Sequence, residues 1–81
     1  MRAGKIQVIV QPGLFPSERT VSFRAGDRHY EMVVDQEDVA DGTLVVYVVA
    51  ERNGDAMIDL PRETFTSGSR IRIPTAELLP A

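Results

Sequence analysis

The chain contains no cysteine and no tryptophan, and its 81 residues include a single histidine. The absence of cysteine excludes a disulfide framework and a thiolate metal site. Aromatic residues are few as well, with three phenylalanines and two tyrosines. A chain of this length buries a small core, so the fold must depend on apolar packing and on backbone hydrogen bonds.

Long apolar segments are also missing. The longest uninterrupted one, Leu44–Ala50, has seven residues, and the N-terminal sequence MRAGKIQVIVQPG holds a short apolar stretch broken by glutamine. A membrane-spanning helix needs about 20 apolar residues, and a signal peptide needs a longer apolar centre than this stretch. We therefore expect a cytoplasmic protein that makes no membrane contact.

Basic residues are outnumbered by acidic ones, nine to twelve, so the net charge is −3. An acidic balance argues against a general affinity for nucleic acid or for anionic membranes. With 43% apolar and 26% charged residues, the composition is that of a folded globular protein. The length corresponds to one domain that covers residues 1–81.

The first hairpin is marked by Gly26-Asp27 in the sequence RTVSFRAGDRHYEMVV. A two-residue turn at this point sets Phe23 opposite Tyr30 and gathers apolar side chains on one face. The same register sets Val21 opposite Met32. A slip by one residue would mix apolar and polar side chains on both faces, so the register is well defined.

The second hairpin surrounds Asn53-Gly54, the residue pair that best suits a type I′ turn. If the ladder is regular, Val49 faces Ile58 and Tyr47 faces Leu60, and we assign these four residues to the core. The opposite face of the same hairpin is also largely apolar, with Leu44, Val46, Val48 and Met57. A strand on a one-sided core needs apolar residues only at alternate positions, so this hairpin has a surplus apolar face.

Turn residues divide the whole chain into about six short strands, and no helix exceeds one turn. The sequence therefore predicts an all-β fold: a small five- to six-stranded antiparallel barrel or a compact two-layer sandwich, with at most one short helical turn. Phe15, in the loop PGLFPSE, is expected to close one end of the core. The register of the last strand, RIRI, is not fixed by the sequence, although Ile71 and Ile73 are expected to point inward.

The order of elements resembles that of an SH3-like small barrel. A first strand is followed by a long loop, by meandering strands with a late tight hairpin, and by a short turn in RIPTAELL beside the last strand. The resemblance covers this layout and no sequence motif. An "ALYDY"-type aromatic run and a tryptophan after the acidic loop are absent, so binding of proline-rich peptides is not implied.

Residues suited to catalysis or to metal binding are few. His29 would need two or three further ligands, and without cysteine these would have to be carboxylates such as Asp27 and Glu31. The acidic segment Asp35–Gly42 does not fit a calcium loop, because Ala40 stands where an EF-hand requires glycine. No serine has a visible base. We predict that the chain is not an enzyme and has no catalytic residues, metal or cofactor.

The prediction of function is based on the surplus apolar face. Contiguous exposed apolar surface on a small domain usually marks an interface. We therefore expect a non-catalytic interaction module that binds a protein partner or a second copy of itself through the central strand. The predicted interface residues are Leu44, Val46, Val48 and Met57.

Two alternatives stay open. Arg24, Arg28 and His29 form a potential basic patch for an anion or nucleic acid, since small barrels do bind single strands with basic and aromatic surfaces. Phe23 and Tyr30 fall on the predicted core face, which leaves few aromatics to stack on bases, so nucleic-acid binding is the less favoured function. The second alternative is that the chain is an accessory subunit that works within a larger assembly.

Overall fold

The computed structural model describes residues 1–80, which form two open antiparallel sheets. The strands are β1 (Arg2–Gln7), β2 (Ile9–Pro12), β3 (Glu18–Ala25), β4 (Arg28–Asp35), β5 (Val39–Ala40), β6 (Thr43–Arg52), β7 (Asp55–Thr64), β8 (Gly68–Pro74) and β9 (Leu79–Pro80). The larger sheet has the order β8-β7-β6-β1-β9, with β5 beside β6, and the smaller sheet has the order β2-β3-β4. The predicted all-β antiparallel class is confirmed.

The two sheets do not close into a barrel. A closed barrel needs a hydrogen-bonded ladder around its whole circumference. Between β4 and the larger sheet, residues 1–80 make one backbone hydrogen bond, from Phe65 N–H to Glu31 O at 2.9 Å. The predicted barrel is therefore wrong. The strands also outnumber the predicted five to six, because Val8 separates β1 from β2 and because β5 and β9 have two residues each.

The β3–β4 hairpin has the predicted register. Phe23 pairs with Tyr30 and Val21 pairs with Met32. Gly26 occupies the turn with a φ of 63°, a conformation that glycine adopts without steric cost. The rings of Phe23 and Tyr30 stack with their centroids 5.3 Å apart, so the hairpin contributes an aromatic pair to the core.

The β6–β7 hairpin has the predicted turn but a different register. Asn53 and Gly54 have φ angles of 53° and 84°, as a type I′ turn requires. Beyond the turn, Val49 is left without a partner in a β-bulge, and Val48 pairs with Ile58. The bulge advances β6 by one residue against β7, so the predicted pairs of Val49 with Ile58 and of Tyr47 with Leu60 are wrong.

This shift decides which face of β6 is buried. Leu44 and Val46 have no exposed surface and Val48 has 5%, whereas the Tyr47 residue is 47% exposed. Leu44, Val46 and Val48 therefore belong to the core, and Tyr47, assigned above to the core, points to solvent. Ile58 and Leu60 are buried as expected.

The core lies between the sheets and is lined by both of them. Its buried apolar residues are Ile6, Val21, Phe23, Ala25, Tyr30, Met32, Val34, Leu44, Val46, Val48, Ala56, Ile58, Leu60, Ile71 and Ile73. Ile71 and Ile73 point inward as predicted. Phe15 does not close the core, since it is 60% exposed.

Two short 3₁₀ turns, Gln36–Asp38 and Thr75–Glu77, exceed the single turn predicted. The second of them brings Leu78 against the core, where its side chain lies over Gly4. Within residues 1–80, no helix has the length and apolar character needed to cross a membrane.

Candidate interaction surface on the larger sheet

The outer face of the larger sheet carries an aromatic side chain at its centre. Tyr47 lies in the middle strand β6, between Ala3 of β1 and Asp59 of β7. Along the same strand, Val45 and Val49 are half-buried, and Met57 of β7 is half-buried as well. We call Tyr47, Val45, Val49 and Met57 the outer patch.

An ion pair borders the outer patch. Asp59 pairs with Tyr47 on one side and with Arg70 of β8 on the other, so the three residues form one row across the sheet. Arg70 donates two hydrogen bonds to the Asp59 carboxylate, from Nε to Oδ1 at 2.7 Å and from a terminal nitrogen to Oδ2 at 3.0 Å. This bidentate geometry fixes the two side chains relative to each other, with Asp59 at the position next to Tyr47 in the sheet.

The ion pair also shifts the pKa values of both groups. The hydrogen bonds from Arg70 lower the pKa of Asp59 below its ordinary value of 3.8, partial burial opposes this shift, and the nearby positive charge adds to it. The same hydrogen bonds raise the pKa of Arg70. A carboxyl whose pKa is lower in the folded than in the unfolded chain stabilises the fold above its unfolded pKa, and this stabilisation is lost as the pH falls through the folded pKa.

Asp59→Asn is therefore expected to be less stable than the wild type at neutral pH, because the amide keeps the shape of the side chain and loses its charge. The difference should begin to shrink as the pH falls below 3.8 and should vanish only below the lower pKa of the folded carboxyl, where the wild-type side chain is protonated too. Urea unfolding at a series of pH values measures this difference, with Asp27→Asn as a control at an exposed aspartate. A deficit of Asp59→Asn that persists unchanged in acid would contradict the assignment.

The residues predicted as an interface are divided by the bulge. Leu44, Val46 and Val48 are enclosed in the core, so the expectation that they form an exposed face is wrong. Met57 lies on the outer face and is half-buried. The apolar surplus of the central strand is real, but its exposed part is the outer patch.

The predicted basic patch is divided between two sides of the smaller sheet. Arg24 pairs with His29 across β3 and β4, and both are exposed. Arg28 follows the turn on the other side, where its guanidinium lies 5.9 Å from the centre of the Tyr30 ring. His29 Nε2 is 3.7 Å from an oxygen of Glu31. Because neighbouring residues of a strand point to opposite faces, the three groups do not converge on one ligand.

Sequence reasoning missed the exposed aromatics. Tyr47, Phe15 and Phe65 are 47%, 60% and 63% exposed, so three of the five aromatic residues lie at the surface. Phe15 precedes Pro16 in a loop and Phe65 lies in the β7–β8 turn, and such positions do indicate exposure. In the part of the chain that the structure describes, no three histidine or carboxylate side chains come together as a metal site would require.

Fold and surface together define a small all-β domain with a central tyrosine on the open face of its larger sheet. The chain matches no protein-family model, and neither curated proteins nor solved structures include a significant match. Its function must therefore be argued from this geometry.

Proposed function

We propose that the protein is a non-catalytic interaction module whose contact surface is the outer patch around Tyr47. The observation that carries the proposal is the half-exposed Tyr47 ring, set among half-buried apolar side chains and bordered by a fixed ion pair. An apolar centre with a polar rim is the common anatomy of protein interfaces.

Tyrosine is also a residue type that contributes strongly to binding. Its ring supplies a large contact area with few rotatable bonds, and its hydroxyl finds a partner at the edge of an interface. The sheet holds the backbone of Tyr47 in place, because its strand pairs with β1 on one side and with β7 on the other. The module therefore loses little conformational freedom when a partner covers this ring.

The partner is either a second copy of the chain or another protein, and an accessory role within a larger assembly uses the same surface. The SH3-like layout and the cytoplasmic location are parts of this proposal. No proline-rich ligand is proposed, since the aromatic motif of such grooves is absent from the sequence.

Tyr47→Ala is expected to weaken the association roughly tenfold or more, because it removes the aromatic centre of the patch. Phe15→Ala is the matched control, since it removes an aromatic ring that is at least as exposed and lies in a loop outside the patch. Sedimentation equilibrium measures self-association, and quantitative capture from cell extract measures binding to other proteins. A wild type that stays monomeric and captures the same proteins as Tyr47→Ala would refute the proposal.

A second candidate function is binding of single-stranded nucleic acid on the same face. Tyr47 shares the outer face with Lys5, Arg70 and Arg72, and exposed aromatics among basic residues stack and hold single strands. Arg70 is neutralised by Asp59 and the net charge is −3, which favours a protein partner. Titration with a short single-stranded oligonucleotide distinguishes the two candidate functions. Binding that weakens steeply with added salt supports nucleic-acid binding.

A further inference from the structure

We propose that β8 receives an extended acidic peptide, which adds to the larger sheet as a further strand. The feature that carries this inference is the free edge of β8, which is lined with arginine side chains and faces a groove. The inference rests on one part of the proposed function, that the protein is an interaction module, and it adds a second contact surface beside the outer patch.

The free edge follows from the hydrogen bonds on the other side of the strand. Thr75 donates its N–H to Gly54 O at 2.8 Å, in continuation of the β7–β8 register. Bonded and non-bonded pairs alternate in an antiparallel ladder. Ile73 and Ile71 therefore direct their backbone groups towards β7. The N–H and C=O groups of Arg72 and Arg70 point away from β7, and no hydrogen bond within residues 1–80 uses them.

A groove of about 510 Å³ borders this edge. Its walls are β8 and the tip of the β3–β4 hairpin, which contributes Arg28 and Tyr30. Apolar side chains, Ile71 and Ile73, form part of its lining. A strand that enters the groove can therefore make backbone hydrogen bonds and bury alternate side chains, as in β-strand addition.

The charges of the groove favour an acidic occupant. Arg28, Arg70 and Arg72 all line it, although the protein as a whole is acidic. Asp59 pairs with Arg70, whereas Arg28 and Arg72 have no ion-pair partner within residues 1–80. The lining also contains Asp27 and Asp55, and Asp59 neutralises Arg70, so the groove has no net charge, and its preference for an acidic strand rests on the guanidinium of Arg72 on the free edge, unpaired within residues 1–80. An acidic side chain opposite Arg72 would be stabilised as a cross-strand pair.

The same arginines disfavour a second copy of the chain at this edge. If two copies of β8 pair through their free backbone groups, each of the residues Gly68, Arg70, Arg72 and Pro74 in one copy can face only one of these same four residues in the other. The three central registers set Arg70 against Arg70, Arg72 against Arg72, or Arg70 against Arg72. Like charges directly opposite each other destabilise a pair of strands, and charged side chains on an edge strand are a common protection against self-pairing.

The expected peptide alternates acidic and apolar residues. Its acidic side chains lie on the outer face beside Arg70 and Arg72, and its apolar side chains point inward beside Ile71 and Ile73, because side chains alternate along a strand. Pro74 ends the ladder, since it has no N–H to donate. The edge therefore selects a short extended segment.

The test is a fluorescence-anisotropy titration of the intact protein with a short labelled peptide that alternates glutamate with valine, at an ionic strength of about 0.15 M, where charges more than about 8 Å apart are largely screened. We expect Arg72→Glu to weaken binding at least about tenfold, since it replaces an attraction by a repulsion. Arg24→Glu is the matched control: it makes the same charge change on the outer face of the smaller sheet, and binding should stay within about twofold. A peptide that alternates lysine with valine should bind at least about tenfold more weakly.

Two further measurements separate strand addition from simple charge attraction. A glutamate–valine peptide with N-methyl groups at alternate residues keeps its charge and cannot complete the ladder, so it should bind at least about tenfold more weakly. In hydrogen exchange, the amides of Arg70 and Arg72 should exchange fast in the free protein and become protected when the peptide binds, whereas those of Ile71 and Ile73 are protected in both states.

The inference is overturned if the glutamate–valine peptide does not bind, if Arg72→Glu and Arg24→Glu weaken binding equally, or if N-methylation has no effect. It is also overturned if the Arg70 and Arg72 amides are already protected in the free protein at high concentration, which indicates pairing with a second copy. These results leave the proposed function intact when an association that depends on Tyr47 is still measured. A peptide that binds β8 while Tyr47→Ala changes nothing supports the inference and refutes the outer patch.

Discussion

Leu44→Ala is expected to lower the free energy of unfolding by about 3 kcal/mol, because it removes a fully buried side chain and leaves a cavity in the core. Small domains have a total stability of about 5–15 kcal/mol, so the loss is a large part of it. Tyr47→Ala, three positions along the same strand, should cost less than about 1 kcal/mol, because its ring lies on the outer face. Urea unfolding of both variants measures the two values.

The comparison is sharp because the regular hairpin predicts the opposite order. With Val49 opposite Ile58, Tyr47 would be a core residue, and its truncation would cost about 3–5 kcal/mol as for other buried aromatics. Val45→Ala serves as a second control, since Val45 is half-buried beside Leu44 and faces the outer side. A larger loss for Tyr47→Ala than for Leu44→Ala would show that the bulge is absent in solution.

The β3–β4 hairpin shows where sequence reasoning succeeds. Its turn residues fix the length of the loop, and its strands alternate apolar and polar side chains on both sides of Gly26-Asp27. Two independent signals thus select the same register, and a slip would expose Val21 and Phe23. Agreement between turn chemistry and alternation makes such a prediction reliable.

The β6–β7 hairpin shows where it fails. Leu44–Ala50 is apolar throughout, so alternation gives no information about which face is buried. The turn alone then determined the predicted register, and a turn cannot report a bulge that lies beyond it. A regular ladder from Asn53-Gly54 also sets the carboxylate of Asp59 opposite Val48 on the apolar face, and this placement argues against that register.

The position of the candidate surface also depends on the one-residue change of register that the bulge causes in β6. The bulge puts Tyr47 beside Asp59 on the outer face, in the place where the regular register sets Val48. Asp59 meets Arg70 through the β7–β8 register, which the bulge does not change. Pairing the sequence RIRI with β7 so that Arg70 meets Asp59 also keeps Ile71 and Ile73 inward. The charge pair was therefore the sequence feature that identifies the outer face. The separation into two open sheets depends on contacts between distant segments, which local patterns do not record.

Deletion of one valine at either of two places in β6 tests the bulge itself. Removing Val49 should be tolerated, with a loss of less than about 1.5 kcal/mol, because Ala50 still pairs with Met57 and Val48 still pairs with Ile58. The deletion makes the ladder regular, and every core side chain of β6 keeps its place. A folded variant with near-wild-type stability is the expected result, measured by urea unfolding and by amide exchange.

Removing Val45 from the same strand should cost about 3 kcal/mol or more. The shortened strand can keep both of its end pairs, Leu44 with Ile6 and Ala50 with Met57, only if it loses the bulge. Tyr47 then moves to the inward position that the fully buried Val46 occupies in the wild type. That place is too small for a tyrosine ring, and the hydroxyl would be buried without a partner. The two variants differ by one valine position and have the same length and composition. Equal stability for both would show that the bulge does not set the faces of β6, whereas a large deficit for the Val45 deletion alone shows that it does.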